Sequence, residues 1–215
     1  MPQSAPEPIP RKNRVFLWGL SNGIFALTIA ALFWLGLGLG PYAGNVEWYV
    51  VALVTATVYG CCGACIWGAV RLRRRSGFTR DDLKPSDPRE RSENRRTALG
   101  FVRVVVIQSL LVVAVVIYSL QPGNQELLWP LIAIVVSLHF VPLGIIFHVK
   151  AYCALGGVGT VVGLSSLLRV FDSCRMIYLG VSMGILMLAT VAFLLRKADA
   201  MALKSVDETP NQGVA

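Results

Sequence analysis

The sequence predicts an all-α fold: a polytopic membrane protein with six transmembrane helices. Hydrophobic residues make up 55% of the 215 residues and charged residues only 15%, with a mean hydropathy of +0.62. A soluble domain needs roughly 25% charged residues. Six long runs also contain almost no charged side chains, Glu47 at the start of the second run being the exception, and about 20 apolar residues in a helix cross a bilayer core. The runs lack the apolar/polar alternation of barrel strands, so helices are the spanning structure that satisfies the backbone in lipid.

The six runs, each expected to form one helix, are Val15–Gly40, Val46–Val70, Val104–Leu120, Leu127 to about Val149, Ala151–Leu168 and Met176–Leu195. The first run is longer than the roughly 7–15 residues of a signal-peptide core, which indicates an uncleaved helix. Pro142 and Gly144 disturb helical hydrogen bonding. We therefore expect the fourth helix to end near Leu143, with His139 nearer the cytoplasmic face than the middle of the bilayer.

Charge placement predicts the orientation, because Lys and Arg in short loops stay on the cytoplasmic side. With the N-terminus inside, every Lys and Arg except Arg169 and Arg175 falls on the cytoplasmic side. The inverted topology places nearly all of them outside. If the fourth and fifth runs formed one crossing and a re-entrant segment, Arg196 and Lys197 would violate the rule. We expect a multi-pass protein of the cell membrane with both termini cytoplasmic.

Three regions are predicted: a disordered tail over residues 1–14, a transmembrane domain over 15–198 and a disordered tail over 199–215. The tails are too polar and proline-rich to bury a core. The transmembrane domain includes a basic cytoplasmic loop, residues 71–103. Within this loop, Ser86-Asp87-Pro88 is typical of a helix start, and a helix beginning there can continue into the third span.

The basic loop could dock a nucleic acid, a partner protein or anionic lipid. Arginine-rich loops obey the orientation rule and bind anionic headgroups at about 1 kcal/mol per basic residue. A base-stacking surface needs several aromatic side chains among its charges, and Phe78 is almost alone there. We therefore expect the lipid bilayer and its anionic headgroups as partners, and no nucleic acid.

Small residues recur at helical spacing in the second, fifth and sixth runs, and such stripes favour close helix packing. Lining a substrate path is the functional alternative. Cys62 and Cys65 have C-x-x-C spacing, but a zinc site needs four ligands and thiolates need stabilising charge. Cys153 and Cys174 are far along the chain. We predict small packing cysteines, no metal site and no cofactor.

Three uncompensated polar residues form the candidate intramembrane polar site: His139, Asn22 and Gln108. Ionisable groups in a membrane are costly and usually functional, and an imidazole can bind a proton near neutral pH. His139 is the foremost of the three. The structural alternative is a neutral histidine hydrogen-bonded to a helix carbonyl that Pro142 leaves free.

The segment Leu138-His139-Phe140-Val141-Pro142-Leu143, followed by Phe147 and Ala151-Tyr152, carries a resemblance over about thirty residues. It resembles small uncharacterised bacterial multi-pass proteins that carry a Leu-His-Phe-x-Pro-Leu element before a short reversal and a tyrosine-rich helix. The resemblance implies about six helices in a bacterial inner membrane, with His139 and Pro142 as motif positions. It implies no activity, and the longer basic loop departs from the pattern.

The favoured function is a non-enzymatic integral membrane protein whose buried polar groups serve packing. The alternative is a small transporter or channel, formed as a homo-oligomer, in which Asn22, Gln108 and His139 line a polar path. Ion-coupled carriers usually place a carboxylate or a broken helix at depth, and neither is visible. An intramembrane hydrolase ranks last, because Ser137 and His139 point to different faces of one helix. We therefore predict no catalytic residues.

Overall fold

In the computed structural model, residues 11–40, 47–79, 82 and 88–207 are described, and all their regular structure is helical. This confirms the all-α class for those ranges. The α-helices are α1 Arg11–Leu39, α2 Trp48–Ser76, α3 Pro88–Ser119, α4 Leu128–Ile146, α5 Lys150–Ser165 and α6 Arg175–Asp207. Two 3-10 turns, Gln125–Leu127 and Arg169–Phe171, precede α4 and α6.

Five of these helices are long and apolar enough to cross a membrane. The five segments are Arg14–Leu39, Ala52–Ser76, Arg91–Ser119, Gln125–Ile146 and Arg175–Ala200. The remaining helix, α5, has 16 residues, or roughly 24 Å at 1.5 Å per residue. That is somewhat less than the ~30 Å of a bilayer core.

Glycine lets α1 and α6 pack at very close range. A Cβ added to Gly180 would lie 2.5 Å from the Cα of Gly38 and 2.5 Å from the carbonyl oxygen of Trp34. Gly184, one turn further along α6, lies against Leu35. Small residues four apart let helix backbones approach in this way. The packing prediction is therefore confirmed for α6.

The α4 and α5 helices pack antiparallel through a second set of glycines. Gly144 of α4 lies against Cys153, and Gly163 of α5 lies against Ile134. Between these points, a Cβ on Gly156 would lie 2.9 Å from the carbonyl oxygen of Ser137. These contacts run along most of both helices, so α5 returns along α4 to within about one turn of its start.

The reversal between α4 and α5 is shorter than predicted. The expected end near Leu143 is wrong, because α4 continues through Pro142 to Ile146. Proline lacks the N–H for one helical bond, and neighbouring polar groups can compensate such a break. The carbonyl that loses its helical partner here is that of Leu138. The thiol of Cys153 donates to a different carbonyl oxygen nearby, that of Val141, at 3.7 Å.

His148 follows the end of α4 by two residues and adopts the left-handed conformation, with φ of 55°. Its N–H donates to the carbonyl oxygen of Ile145 at 3.3 Å, and the N–H of Val149 donates to that of Gly144 at 2.9 Å. This pair of bonds is the Schellman motif, in which glycine usually occupies the position of His148. A side chain there carries a conformational cost.

Helices α2 and α3 lie at the edges of the bundle. None of the most apolar stretch of α3 is buried, and its described packing is mainly against α4. The small-residue stripe of α2 packs only in part: Gly68 lies against Leu195 of α6, whereas Gly60 has no atom within 4 Å of an added Cβ. The packing interpretation is therefore wrong for the Gly60 end of that stripe.

Helices extend further than predicted at both termini of the chain. Residues 11–14 belong to α1, and α6 continues to Asp207, into the expected tail 199–215. Ala198 is fully buried and Asp199 pairs with Arg75 at 3.5 Å; the following alanine, methionine and leucine residues favour helix. The predicted start of α3 at Pro88 is confirmed. Ser86, Asp87 and residues 1–10 and 208–215 lie outside the described residues.

One end of the bundle, which we call the basic end, collects the cations. Residues near this end include Arg14, Arg71, Arg73, Arg74, Arg75, Arg103, Lys150, Arg196 and Lys197. Three contacts between helices show that these residues lie at the same end: Gly68 contacts Leu195, Gly100 contacts Ile146, and Arg75 pairs with Asp199.

At the basic end, the start of the α2–α3 connection is fastened to α1. Arg14 donates to the Asp82 carboxylate from Nη2 at 2.6 Å and from Nε at 3.3 Å. The backbone N–H of Thr79 donates to the same group at 2.8 Å. Phe78 stacks on Trp18 with ring centroids 4.7 Å apart. The hydrogen bonds from Arg14 and then Thr79 lower the pKa of Asp82 to about 2.

Candidate functional site

Gln108 lies on the surface of α3 that faces α4, and His139 lies about two helical turns before Ile146, which contacts Gly100 of α3. In α3 the less exposed positions recur at helical spacing and form one stripe: Gly100, Val104, Gln108, Val112, Val115 and Ser119. At one end of this stripe Gly100 contacts Ile146, and Phe101 lies near Phe147 with ring centroids 6.1 Å apart. The helices α3 and α4 run antiparallel. Eight residues from the contact between Gly100 and Ile146, counted along each helix, Gln108 therefore lies level with Leu138 and His139.

Gln108 and His139 lie about midway along the length of the bundle. Gly159 of α5 contacts both Ser137 of α4 and Leu186 of α6. Leu186 is midway along the apolar run of α6, and Ser137 is two residues from His139. His139 is therefore near the centre of the bundle, not displaced towards the basic end as predicted. The difference follows from the continuation of α4 to Ile146.

One of the two ring nitrogens of His139 has a hydrogen-bond partner. Nδ1 lies within hydrogen-bond distance of the carbonyl oxygen of Val136, in the same helix. A neutral ring that donates from Nδ1 leaves Nε2 as an acceptor. The predicted partner was the carbonyl that Pro142 leaves free, which is that of Leu138. This is wrong, because the imidazole contacts the carbonyl of Val136 instead. The partner is nevertheless a backbone carbonyl of the same helix. The ring also packs on Phe140 at a centroid distance of 4.2 Å.

Asn22 lies apart from this pair. It is exposed on α1, next to Gly23, whose added Cβ would overlap the hydroxyl of Tyr152. Tyr152 is in the first turn of α5, at the basic end, roughly 10 Å along the bundle from the level of Gly159. The structure thus brings Gln108 and His139 to one level and leaves Asn22 near the basic end.

Ser137 faces away from His139. Its hydroxyl lies against Gly159 and donates to the sulfur of Met183 at 3.9 Å, so it is turned towards α5 and α6. A serine nucleophile needs a base within about 3 Å. Within the described residues, no His, Cys, Asp or Glu side chains gather in groups of three that could hold a metal ion.

The cysteines of α2 do not share one environment. Cys62 is buried, Cys65 is half-buried and Cys61 is exposed. Cys62 therefore packs as predicted, whereas Cys61 lies on an outward surface of the bundle. All five cysteines of the chain are free thiols.

Sequence reasoning missed two further groups. The Arg14–Asp82 pair joins residues 68 positions apart, and no spacing rule links such positions. The guanidinium carbon of Arg71 lies 5.5 Å from the ring centroid of Trp67. The i, i+4 spacing of that pair in α2 was a usable signal.

No curated protein and no solved structure matches the chain. A family model does match: residues 89–197 fit the family described as "Family of unknown function (DUF7010)". The matched segment covers α3, α4 and α5 and most of α6, so Gln108 and His139 are inside it and Asn22 is outside. Since the match extends over just over half of the 215 residues, the chain belongs to the DUF7010 family.

Proposed function

We propose that the protein is a non-enzymatic integral membrane protein with six crossings, located in a bacterial inner membrane with both termini in the cytoplasm. The proposal of six crossings depends on α5, the shortest helix. The glycine contacts from Gly144–Cys153 to Gly163–Ile134 extend along α4, so a membrane that α4 crosses is crossed by α5 as well. The turn after α5 contains Leu167 and Leu168 and, beyond Arg169, exposes Val170 at 82%; these apolar residues can complete the crossing at the outer interface.

The observation that carries the proposal is the outward surface of α3. Its large apolar side chains are exposed on nearly every side: Leu99, Phe101, Val102, Val105, Val106, Ile107, Leu110, Leu111, Val113, Val116 and Ile117. Exposed apolar area costs about 25 cal/mol per Å² in water and little in lipid. The basic end supports the orientation, because cations are retained on the cytoplasmic side.

Cysteine labelling in intact cells tests the six crossings. In a variant that lacks the native cysteines, Val170→Cys is expected to react with a membrane-impermeant maleimide from outside. Lys150→Cys, at the other end of α5, is the matched control and is expected to react only after permeabilisation. Protection of Val170→Cys until permeabilisation contradicts a crossing by α5.

The absence of catalysis has its own test. Ser137 is the one nucleophile near His139 in sequence, and its hydroxyl is turned towards Met183. We expect a serine-reactive fluorophosphonate probe to leave the purified protein unlabelled. Labelling that Ser137→Ala abolishes overturns this part of the proposal.

The second candidate is a small transporter or channel, and the common level of Gln108 and His139 favours it. An acceptor nitrogen and an amide at the centre of a membrane can hold a proton or a polar solute. Asn22 extends such a path only if the path reaches the basic end beside α1. Because α3 lies at the edge of the bundle, closing the path requires a homo-oligomer.

Proteoliposome flux separates the two candidates. If the protein transports protons or a small polar solute, His139→Ala should reduce flux and His148→Ala should not, because His148 is exposed at the turn after α4. Equal flux in the wild type, in both variants and in empty liposomes contradicts transport and favours the first candidate.

A further inference from the structure

Helix α2 has two opposite faces. The face towards α1 and α6 carries the buried residues Cys62, Ala69, Leu72 and Ser76. At 100° per residue, the opposite face carries Gly60, Gly63, Trp67, Arg71 and Arg74. All five residues are exposed and lie on the side of α2 that faces away from the bundle. This outward face of α2 combines cations, an aromatic ring and a strip without side chains.

The cationic part of this outward face is ordered by an aromatic contact. Trp67 is 65% exposed, and the guanidinium carbon of Arg71 lies 5.5 Å from its ring centroid. A cation over a tryptophan ring is attracted to it, so the contact holds the Arg71 side chain along the helix. Arg74 projects from the same face one turn later. The sequence of α2 contains no acidic residue.

The glycine part of the outward face is a notch. Added Cβ atoms at Gly60 and Gly63 would meet no atom within 4 Å. Tyr59, 66% exposed, stands beside the notch and Trp67 stands at its basic end. From Gly60 to Arg71 the helix rises roughly 16 Å, about half of the ~30 Å core, which is the depth of one leaflet.

We propose that the outward face of α2 binds one anionic phospholipid of the inner leaflet. Arg71 and Arg74 hold the phosphate, Trp67 lies at the level of the glycerol, and an acyl chain occupies the notch over Gly60 and Gly63. Trp side chains favour this interfacial depth, and clustered arginines bind anionic headgroups. The proposal rests on the orientation proposed above, because the basic end must face the anionic inner leaflet.

Charge distinguishes this occupant from a second copy of the chain. A two-fold axis along the membrane normal would bring Arg71 of one copy towards Arg71 of the other. Like charges that face each other across an interface are unfavourable. An anionic lipid satisfies the same two arginines, so the charges favour the lipid.

Native mass spectrometry of the full chain in detergent tests the site, with phosphatidylglycerol and phosphatidylcholine as the probes. We expect the wild type to retain one phosphatidylglycerol and to release phosphatidylcholine. In Arg71→Gln/Arg74→Gln, retention should fall about fivefold for each arginine removed, since each contributes about 1 kcal/mol. Arg95→Gln/Arg96→Gln, which removes two exposed arginines from α3, is the matched control and should retain the lipid.

A third variant tests the notch without a change in charge. Gly60→Leu/Gly63→Leu fills the space for the acyl chain, and we expect weaker retention of phosphatidylglycerol. Equal losses in the α2 and α3 arginine variants would indicate a diffuse basic surface and overturn the proposal. So would a dimer that excludes lipid and dissociates in the notch variant. Retention in detergent does not depend on topology, so a failed labelling experiment remains distinguishable from a failed lipid site.

Discussion

Gly38 and Gly180 meet backbone to backbone where α1 crosses α6. A Cβ on Gly180 would lie 2.5 Å from both the Cα and the N of Gly38, and backbone atoms cannot rotate away as a side chain can. The contact therefore requires glycine at position 180. It also joins α1 and α6, the first and last of the described helices.

Gly180→Ala is expected to destabilise the protein by about 2 kcal/mol, the usual cost of overpacking a close contact. The measurement is unfolding in mixed micelles by titration with SDS. Gly157→Ala is the matched control, because an added Cβ at Gly157 has no atom within 4 Å. Alanine favours a helix over glycine, so the control should be neutral or stabilising. Equal stability of Gly180→Ala and the wild type would contradict the observed approach of the two helices.

Gly159→Ala is expected to be destabilising because its Cβ would overlap the hydroxyl of Ser137. Ser137→Ala removes that oxygen and one weak bond to Met183, so alone it should cost less than Gly159→Ala. In the double variant the two effects should not add, with a coupling energy of at least about 0.5 kcal/mol. The same SDS titration measures all three variants, and strict additivity would show that the two positions do not touch.

The Arg14–Asp82 pair predicts a loss of stability in acid. Hydrogen bonds from Arg14 and Thr79 hold the pKa of Asp82 at about 2. The carboxylate therefore stays ionised to a lower pH in the folded state than in the unfolded chain. The stabilisation is present above about pH 4 and is lost as the pH falls towards 2. Asp82→Asn should have a lower melting temperature at pH 6 and a smaller fall between pH 4 and 2.

The control for this pH series is Asp199→Asn, which removes a carboxylate from the exposed pair with Arg75. Exposed ion pairs contribute little, so this variant should melt closer to the wild type at pH 6. An Asp82→Asn profile that parallels the wild type throughout would show that the Arg14 contact does not stabilise the fold.

His148→Gly is expected to stabilise the protein, because φ of 55° is costly for a residue with a side chain. The gain should be about 1 kcal/mol, reduced by the greater freedom of glycine in the unfolded state. His148→Ala keeps the Cβ and should show no comparable gain. If both variants gain equally in thermal melts, the imidazole is the cause and the backbone is not.

The sequence predicts the helices well, because long uncharged runs have few other solutions in lipid. It predicts their ends less well. Pro142 suggested an early end to α4, whereas the helix accommodates the proline and ends at Ile146, two residues before the left-handed His148. Such an end depends on the contacts of Val149 and Gly144 in the reversal, and no local pattern specifies them.

The candidate site was predicted only as a set of residue types. Gln108 and His139 stand out as polar groups in apolar runs, but their common level depends on the register of α3 against α4. That register is set by Gly100 and Ile146 at the end of the contact. The distance of Asn22 from the pair likewise follows from packing between Gly23 and Tyr152, which the sequence pattern does not contain.

The contact between Gly38 and Gly180 also has a consequence for biosynthesis. At about 5–20 amino acids per second, the ribosome completes α6 roughly 8 to 34 seconds after α1. During that interval α1 lacks its main packing partner, and no α6 covers the surface that Gly38 and Leu35 form. Among the described helices, α6 thus completes the packing that α1 begins.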